Sequence, residues 1–175
     1  ISSTIRFLNI YHIECFRRGK KIWEEKVKNL VTNEGLNDSL DKYLKGSSYT
    51  AAWYAGLIDN ANFTEVAADD TAAKITETVN HPTTNDWQEA TEYDESTRET
   101  ITLGTVASQS VNNSASKATF TMNATVTLNG AFVVSNNTKG GTSGVLLGAV
   151  SFSSTRAVVD DDVLNLTVTF TAASA

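Results

Sequence analysis

The sequence predicts a mainly β protein: an antiparallel β-sandwich, jelly-roll or Ig-like, preceded by an N-terminal β-hairpin arm and one short amphipathic helix. Three observations lead there. Thr, Ser and Asn supply 55 of the 175 residues, a composition suited to the wet faces of strands and to turns. From Tyr49 onward the apolar residues recur at every second position, the period of a strand with one solvated face. Only one stretch, within residues 32–46, carries helical spacing.

Taken in order, Tyr11, Ile13 and Cys15 alternate on one face, Arg17-Arg18-Gly19-Lys20 can turn, and Lys21-Ile22-Trp23-Glu24-Glu25 returns. This is a hairpin, with Gly19 in the tight turn. Leu36, Leu40, Tyr43 and Leu44 then fall at i, i+4, i+7 and i+8, one apolar stripe. Thr32 or Asn33 can cap that helix, Glu34 and Asp38 suit its positive end, Lys42 and Lys45 its negative end, and Gly46 stops it. Strands are expected at 51–58, 98–106, 118–128, 131–135, 145–152, 156–159 and 164–170. The run 118–128 alternates without a break, and Phe120, Met122, Val126, Leu166 and Phe170 are expected in the core. Residues 60–93 read as a long, partly ordered loop. The domain plan is an arm at 1–31, a helix at 32–46, and a body at 47–175 with its long loop at about 60–97.

Composition limits the chemistry. With 41% hydrophobic and 19% charged residues the chain can bury a core, which excludes wholesale disorder. A single cysteine excludes an internal disulfide framework, and Cys15 with His12 and His81 cannot complete a four-ligand structural zinc site. No run of 18 apolar residues exists, so no membrane-spanning helix is expected. Residues 1–11 lack a leader-like apolar run, so the six Asn-X-Ser/Thr triplets are expected to stay unmodified. Charge divides the chain: residues 1–46 carry +3 and the remainder −9, within a net −6. A basic arm on an acidic body suggests an arm that reaches for another negative surface.

No constellation for catalysis or a cofactor is expected. Asp160-Asp161-Asp162 lacks EF-hand spacing and suits a turn before a strand. Glu89, Glu92, Asp94 and Glu95 read as a solvated acidic loop rather than a glycosidase pair. Gly140-Gly141-Thr142-Ser143-Gly144 lacks the Lys and following helix of a phosphate-binding loop and reads as a hairpin loop. Cys15 reads as a small core residue. The surface expected to meet a partner is Arg17, Arg18, Lys20, Lys21, Ile22 and Trp23, an aromatic ringed by charge. A protein partner is preferred over nucleic acid on a chain of this net charge.

The order of several short motifs adds a resemblance. Lys21-Ile22-Trp23-Glu24-Glu25, Asn29-Leu30-Val31, Gly35-Leu36-Asn37-Asp38 and Tyr54-Ala55-Gly56-Leu57-Ile58 come first. Ala67-Ala68-Asp69-Asp70-Thr71, Trp87-Gln88-Glu89, Tyr93, Arg98, Asn129-Gly130-Ala131-Phe132, Phe152 and Asp162 follow. In this order, over residues 14–170, the chain resembles small virion structural proteins of tailed bacteriophages, of the capsid decoration (cement) or tail-associated kind. The resemblance implies a non-enzymatic protein on the outer capsid surface, with the major capsid protein and neighbouring copies of itself as partners, in a homo-oligomer on the particle. Alternative readings are a tail or baseplate component, or a carbohydrate-binding sandwich using Trp53, Trp87 and Tyr93 as stacking platforms.

Overall fold

The computed structural model describes residues 5–49, 52–76 and 87–174, and it is mainly β. The chain opens with β1 (Ile5–Arg17) and β2 (Lys20–Val31), joined through Arg18 at φ 50° and Gly19 at φ 75°. Two successive left-handed residues make the tight turn whose twist suits a hairpin. As the alternation predicts, Tyr11, Ile13 and Cys15 are fully buried. Pairing shifts between Cys15↔Trp23 and Phe16↔Lys21, which leaves Ile22 as the extra residue of a β-bulge.

Helix α1 (Asn33–Ser39) follows, continued by one π-helical turn over Leu40–Leu44. The Thr32 hydroxyl caps it by accepting the Gly35 N–H at 3.1 Å, and also donates to the Leu146 carbonyl. Glu34 accepts from the N–H groups of Leu146 (2.6 Å) and Ala72 (2.9 Å). Gly35 lies so close to the Leu147 backbone that a Cβ would collide with it. The first turn is therefore anchored. The rest of the apolar stripe is not, since Tyr43 is 88% and Leu44 71% exposed. Gly46, at φ 79°, ends the segment as expected.

The remaining strands are β3 (Tyr54–Asp59), β4 (Ile75–Thr76), β5 (Trp87–Ala90), β6 (Glu99–Thr100), β7 (Ser110–Asn112), β8 (Ala118–Thr121), β9 (Val126–Val134), β10 (Leu146–Val158) and β11 (Val163–Ser174). They form one eleven-stranded sheet in the order β4-β5-β3-β9-β10-β2-β1-β11-β7, with β6 branching from β3 and β8 from β11. Every pairing is antiparallel except β4 with β5. The pairing is continuous, so the architecture is one sheet rather than two separate ones. Its halves are linked where Leu30 and Val31 of β2 pair with Ala149 and Gly148 of β10.

Two apolar clusters explain the sequence pattern. The larger lies between the halves and joins Tyr11, Ile13, Phe120 and Leu166 to Leu57, Leu128 and Val133. The smaller covers the opposite face of β3, β9 and β10 with Ile58, Trp87, Phe132 and Leu146. These strands are thus buried on both faces, which is why Ala55-Gly56-Leu57-Ile58 and Ala131-Phe132-Val133-Val134 read as unbroken apolar runs.

Several expectations need correction. The hairpin is no detached arm: β1 pairs with β11 over twelve positions, Ile5↔Ser174 to Phe16↔Val163. The run 118–128 is two strands, broken near Met122, where bridges to Tyr93 and the backbone of residues 161 and 162 divert the chain. Val126 and Phe170 are only partly buried. Residues 101–106 form no strand, although Ile101 is buried. The expected loop at 60–97 contains β5, buried at every position, and residues 77–86 of that loop lie outside the described residues.

Phe120 is fully buried and meets Tyr93 edge-to-face at 5.1 Å. Phe120→Ala is expected to cost about 3–5 kcal/mol. The check is urea unfolding, with a lower midpoint and an unchanged slope.

Candidate protein-protein interface

The six residues expected to meet a partner sit at the hairpin tip, and the fold uses three of them itself. Arg17 donates from Nε and Nη2 to the two oxygens of Asp162, each at 2.7 Å. The Asp162 side chain is 0% exposed and also accepts the Val159 N–H at 2.9 Å. The guanidinium holds the Asp162 carboxyl below the usual carboxylate range. Arg17 therefore clamps the tip to the turn before β11. Lys21 donates to Glu24 (2.9 Å) and to Glu14 (3.4 Å).

Trp23 is half-buried on the larger core, edge-on to Phe152 at 6.1 Å, with the Arg156 guanidinium 5.3 Å from its ring. Arg156 is in turn held by Glu25 at 2.8 Å. Trp23, one of the residues expected to meet a partner, thus packs against the core of its own chain. Arg18, Lys20 and the bulged Ile22 remain exposed and free for a contact.

The acidic groups are also employed internally. His12, Glu14 and Glu24 bring three ligand atoms within 4.8 Å of one another. Lys21 and Lys117 already bond to that group, and the Lys117 ammonium lowers the Glu14 carboxyl, so the arrangement is an ion-pair network. His81 lies outside the described residues. Glu89, expected in a solvated loop, is buried against an equally buried Arg98, with Nη2 to Oε2 at 2.7 Å. Arg98 also donates to the carbonyls of Asn136 and Gly141, and Glu89 accepts the Gly140 N–H. This pair thus pins the glycine-rich loop between β9 and β10. Asp162 is the clamp already described, and Asp161 takes φ 66° in the turn expected there.

Trp87 and Tyr93 are buried, Trp87 donating its indole N–H to Asp70 at 3.1 Å, so neither offers a stacking face to a sugar. Cys15 is a buried core residue, its thiol pushed up to about 12 by burial. No helix among the described residues is long and apolar enough to cross a membrane.

Sequence reasoning missed the opposite end of the hairpin. There Ile5, Phe7, Leu8 and Ile10 are all exposed to a large degree, as is Leu30 near the end of β2. The helix with its bare stripe leaves β2 at this same end. The signal was present: Ile5 and Phe7 on one face and Leu8 and Ile10 on the other describe a strand apolar on both faces. A strand of that kind belongs under cover on both sides.

Arg98→Ala strands a buried carboxylate and is expected to cost about 3–5 kcal/mol, whereas Arg98→Met with Glu89→Leu costs much less. Chemical denaturation of both variants checks this. For Asp162 the folded pKa is depressed, so its stabilisation is present above the unfolded value of about 3.9 and is lost as pH falls through the folded one. The gap in Tm between wild type and Asp162→Asn should be full near neutrality and close below about pH 4; a pH series of thermal melts reads it.

Compared with known proteins, the chain matches no family model and no curated protein.

Proposed function

We propose that this chain is a non-enzymatic structural protein that acts by docking on a larger protein assembly. Its setting is the one implied by the resemblance: the outer capsid surface of a tailed bacteriophage, where it reinforces contacts between subunits of the major capsid protein. The observation that carries the docking part is the uncovered stripe of Leu40, Tyr43 and Leu44 on an otherwise anchored helix. An amphipathic helix whose apolar face meets no core of its own is suited to a groove on a partner. The exposed Arg18, Lys20 and Ile22 supply a second contact at the other end of the hairpin. Two weak contacts on one rigid body, repeated over a symmetric lattice, gain avidity without either being strong. The capsid setting itself rests on the motif order alone.

Copy number in purified particles tests the setting. A count that follows the shell lattice, on the order of hundreds, fits a repeated surface position in a symmetric assembly. A count confined to a ring points to the tail, and absence from particles sinks the reading. Replacing Leu40, Tyr43 and Leu44 together by Ser should lower occupancy on shells at least tenfold while the Tm of the free protein stays within a few degrees.

A further inference from the structure

We propose that residues 5–8 of β1 form a strand-pairing edge that joins two copies of this chain, antiparallel across a two-fold axis. On one side this segment is paired: Ile5, Arg6, Phe7 and Leu8 lie opposite Ser174, Ala173, Ala172 and Thr171 of β11. On the other side β2 accompanies β1 only as far as Asn9↔Asn29, because Leu30 and Val31 leave to pair with β10. Among the described residues no strand and no loop backbone bonds to the edge so exposed. Alternate N–H and C=O groups there have no backbone partner among the described residues, and what satisfies such a row is another strand.

The side chains say which strand. The occupant must be apolar on both faces, since Ile5 (73% exposed) and Phe7 flank one face and Leu8 and Ile10 the other. The chain has such a strand in this edge itself. Antiparallel pairing of one strand with its copy is automatically isologous, so the surface complements itself. Charge selects the register. Residues 5–10 carry a single charge, Arg6, on a chain of net −6, so the edge escapes the general repulsion between copies. A two-fold at residue 6 would set the two Arg6 side chains face to face, which is unfavourable. A two-fold at residue 7 instead sets Arg6 opposite Leu8 of the other copy and the two Phe7 opposite one another. Among the described residues, the open edges of β4 and β7 offer two and three residues, and the longer flank of β2, paired with β10 only at Leu30 and Val31, carries Lys20, Lys21, Glu24, Glu25, Lys26 and Lys28, charges that discourage strand addition.

The proposal does not depend on the capsid setting, and a test in the free protein keeps the two separable. Sedimentation of the whole chain is expected to show a concentration-dependent dimer. Phe7→Lys with Leu8→Lys should weaken it at least tenfold while leaving the circular dichroism unchanged. Under mild oxidation Phe7→Cys should form a covalent dimer, because residues directly opposite bring their Cβ atoms within disulfide reach. Arg6→Cys alone should not, whereas a mixture of Arg6→Cys and Leu8→Cys chains should cross-link as a heterodimer. Native Cys15 is buried and does not interfere. A strictly monomeric wild type, a dimer indifferent to the double Lys variant, or Arg6→Cys cross-linking as readily as Phe7→Cys would each overturn the proposal. The first outcome, with shell binding intact, would leave the docking reading standing and make the edge a site for a different strand.

Discussion

The structure depends on the union of its first strand with its last. Twelve consecutive pairs between β1 and β11 form the longest ladder of the sheet, and this ladder carries Tyr11, Ile13, Leu164 and Leu166 into the shared core. Everything else is arranged around it. β8 and β7 attach to the outer edge of β11, β2 attaches to β1, and through two residues of β2 the other half of the sheet is joined on. One end of the ladder is locked by the Arg17–Asp162 pair, whose two short hydrogen bonds close a contact spanning 145 residues of sequence. The other end outruns β2 and stands open. The asymmetry between a clamped, charged end and a bare, apolar end follows from where β2 turns away.

Buried and half-buried carboxylates organise the loops. Asp70 accepts from the Ala67 N–H and the Trp87 indole, fixing a turn against β5. Glu34 reaches from the helix to the backbones of Ala72 and Leu146. Glu89 holds Arg98 and, through it, the loop between β9 and β10. Each replaces backbone partners that an irregular segment cannot find in a ladder, and each is affordable because its oxygens are satisfied. A chain poor in charge thus commits much of its charge to internal structure.

The sequence made the local elements legible and their associations obscure. The hairpin, its Gly19 turn, the Thr32 cap, the Gly46 stop and the alternation in β11 are short-range patterns, and each appears where the periodicity puts it. Long-range choices left no periodic mark. Asp162 looks the same in a solvated turn as in a buried clamp, since its partner Arg17 is remote in sequence. Glu89 was hidden by its acidic neighbours, although Trp87 and Ala90 beside it hinted at a strand. The alternation through 118–128 concealed a break because Met122 keeps the strand period while its backbone bonds to the turn at residues 161 and 162. At the tip, Trp23 among basic residues suggested a binding anchor, and only Phe152 and Arg156, far along the chain, show that it is occupied.

That the first strand waits for the last also governs how the chain is made. At about 5–20 residues per second, the 145 residues separating Arg17 from Asp162 take roughly 7–30 s to emerge from a ribosome. A hairpin forms in about 1–10 μs, so β1 and β2 are paired almost as soon as they appear, with the apolar face of Tyr11, Ile13 and Cys15 exposed in the meantime. Lys26, Lys28 and the other charges spaced along β2 line one flank of that nascent hairpin. Such charges discourage pairing with the wrong strand during the interval, a protective duty on the ribosome that is independent of any task in the finished fold.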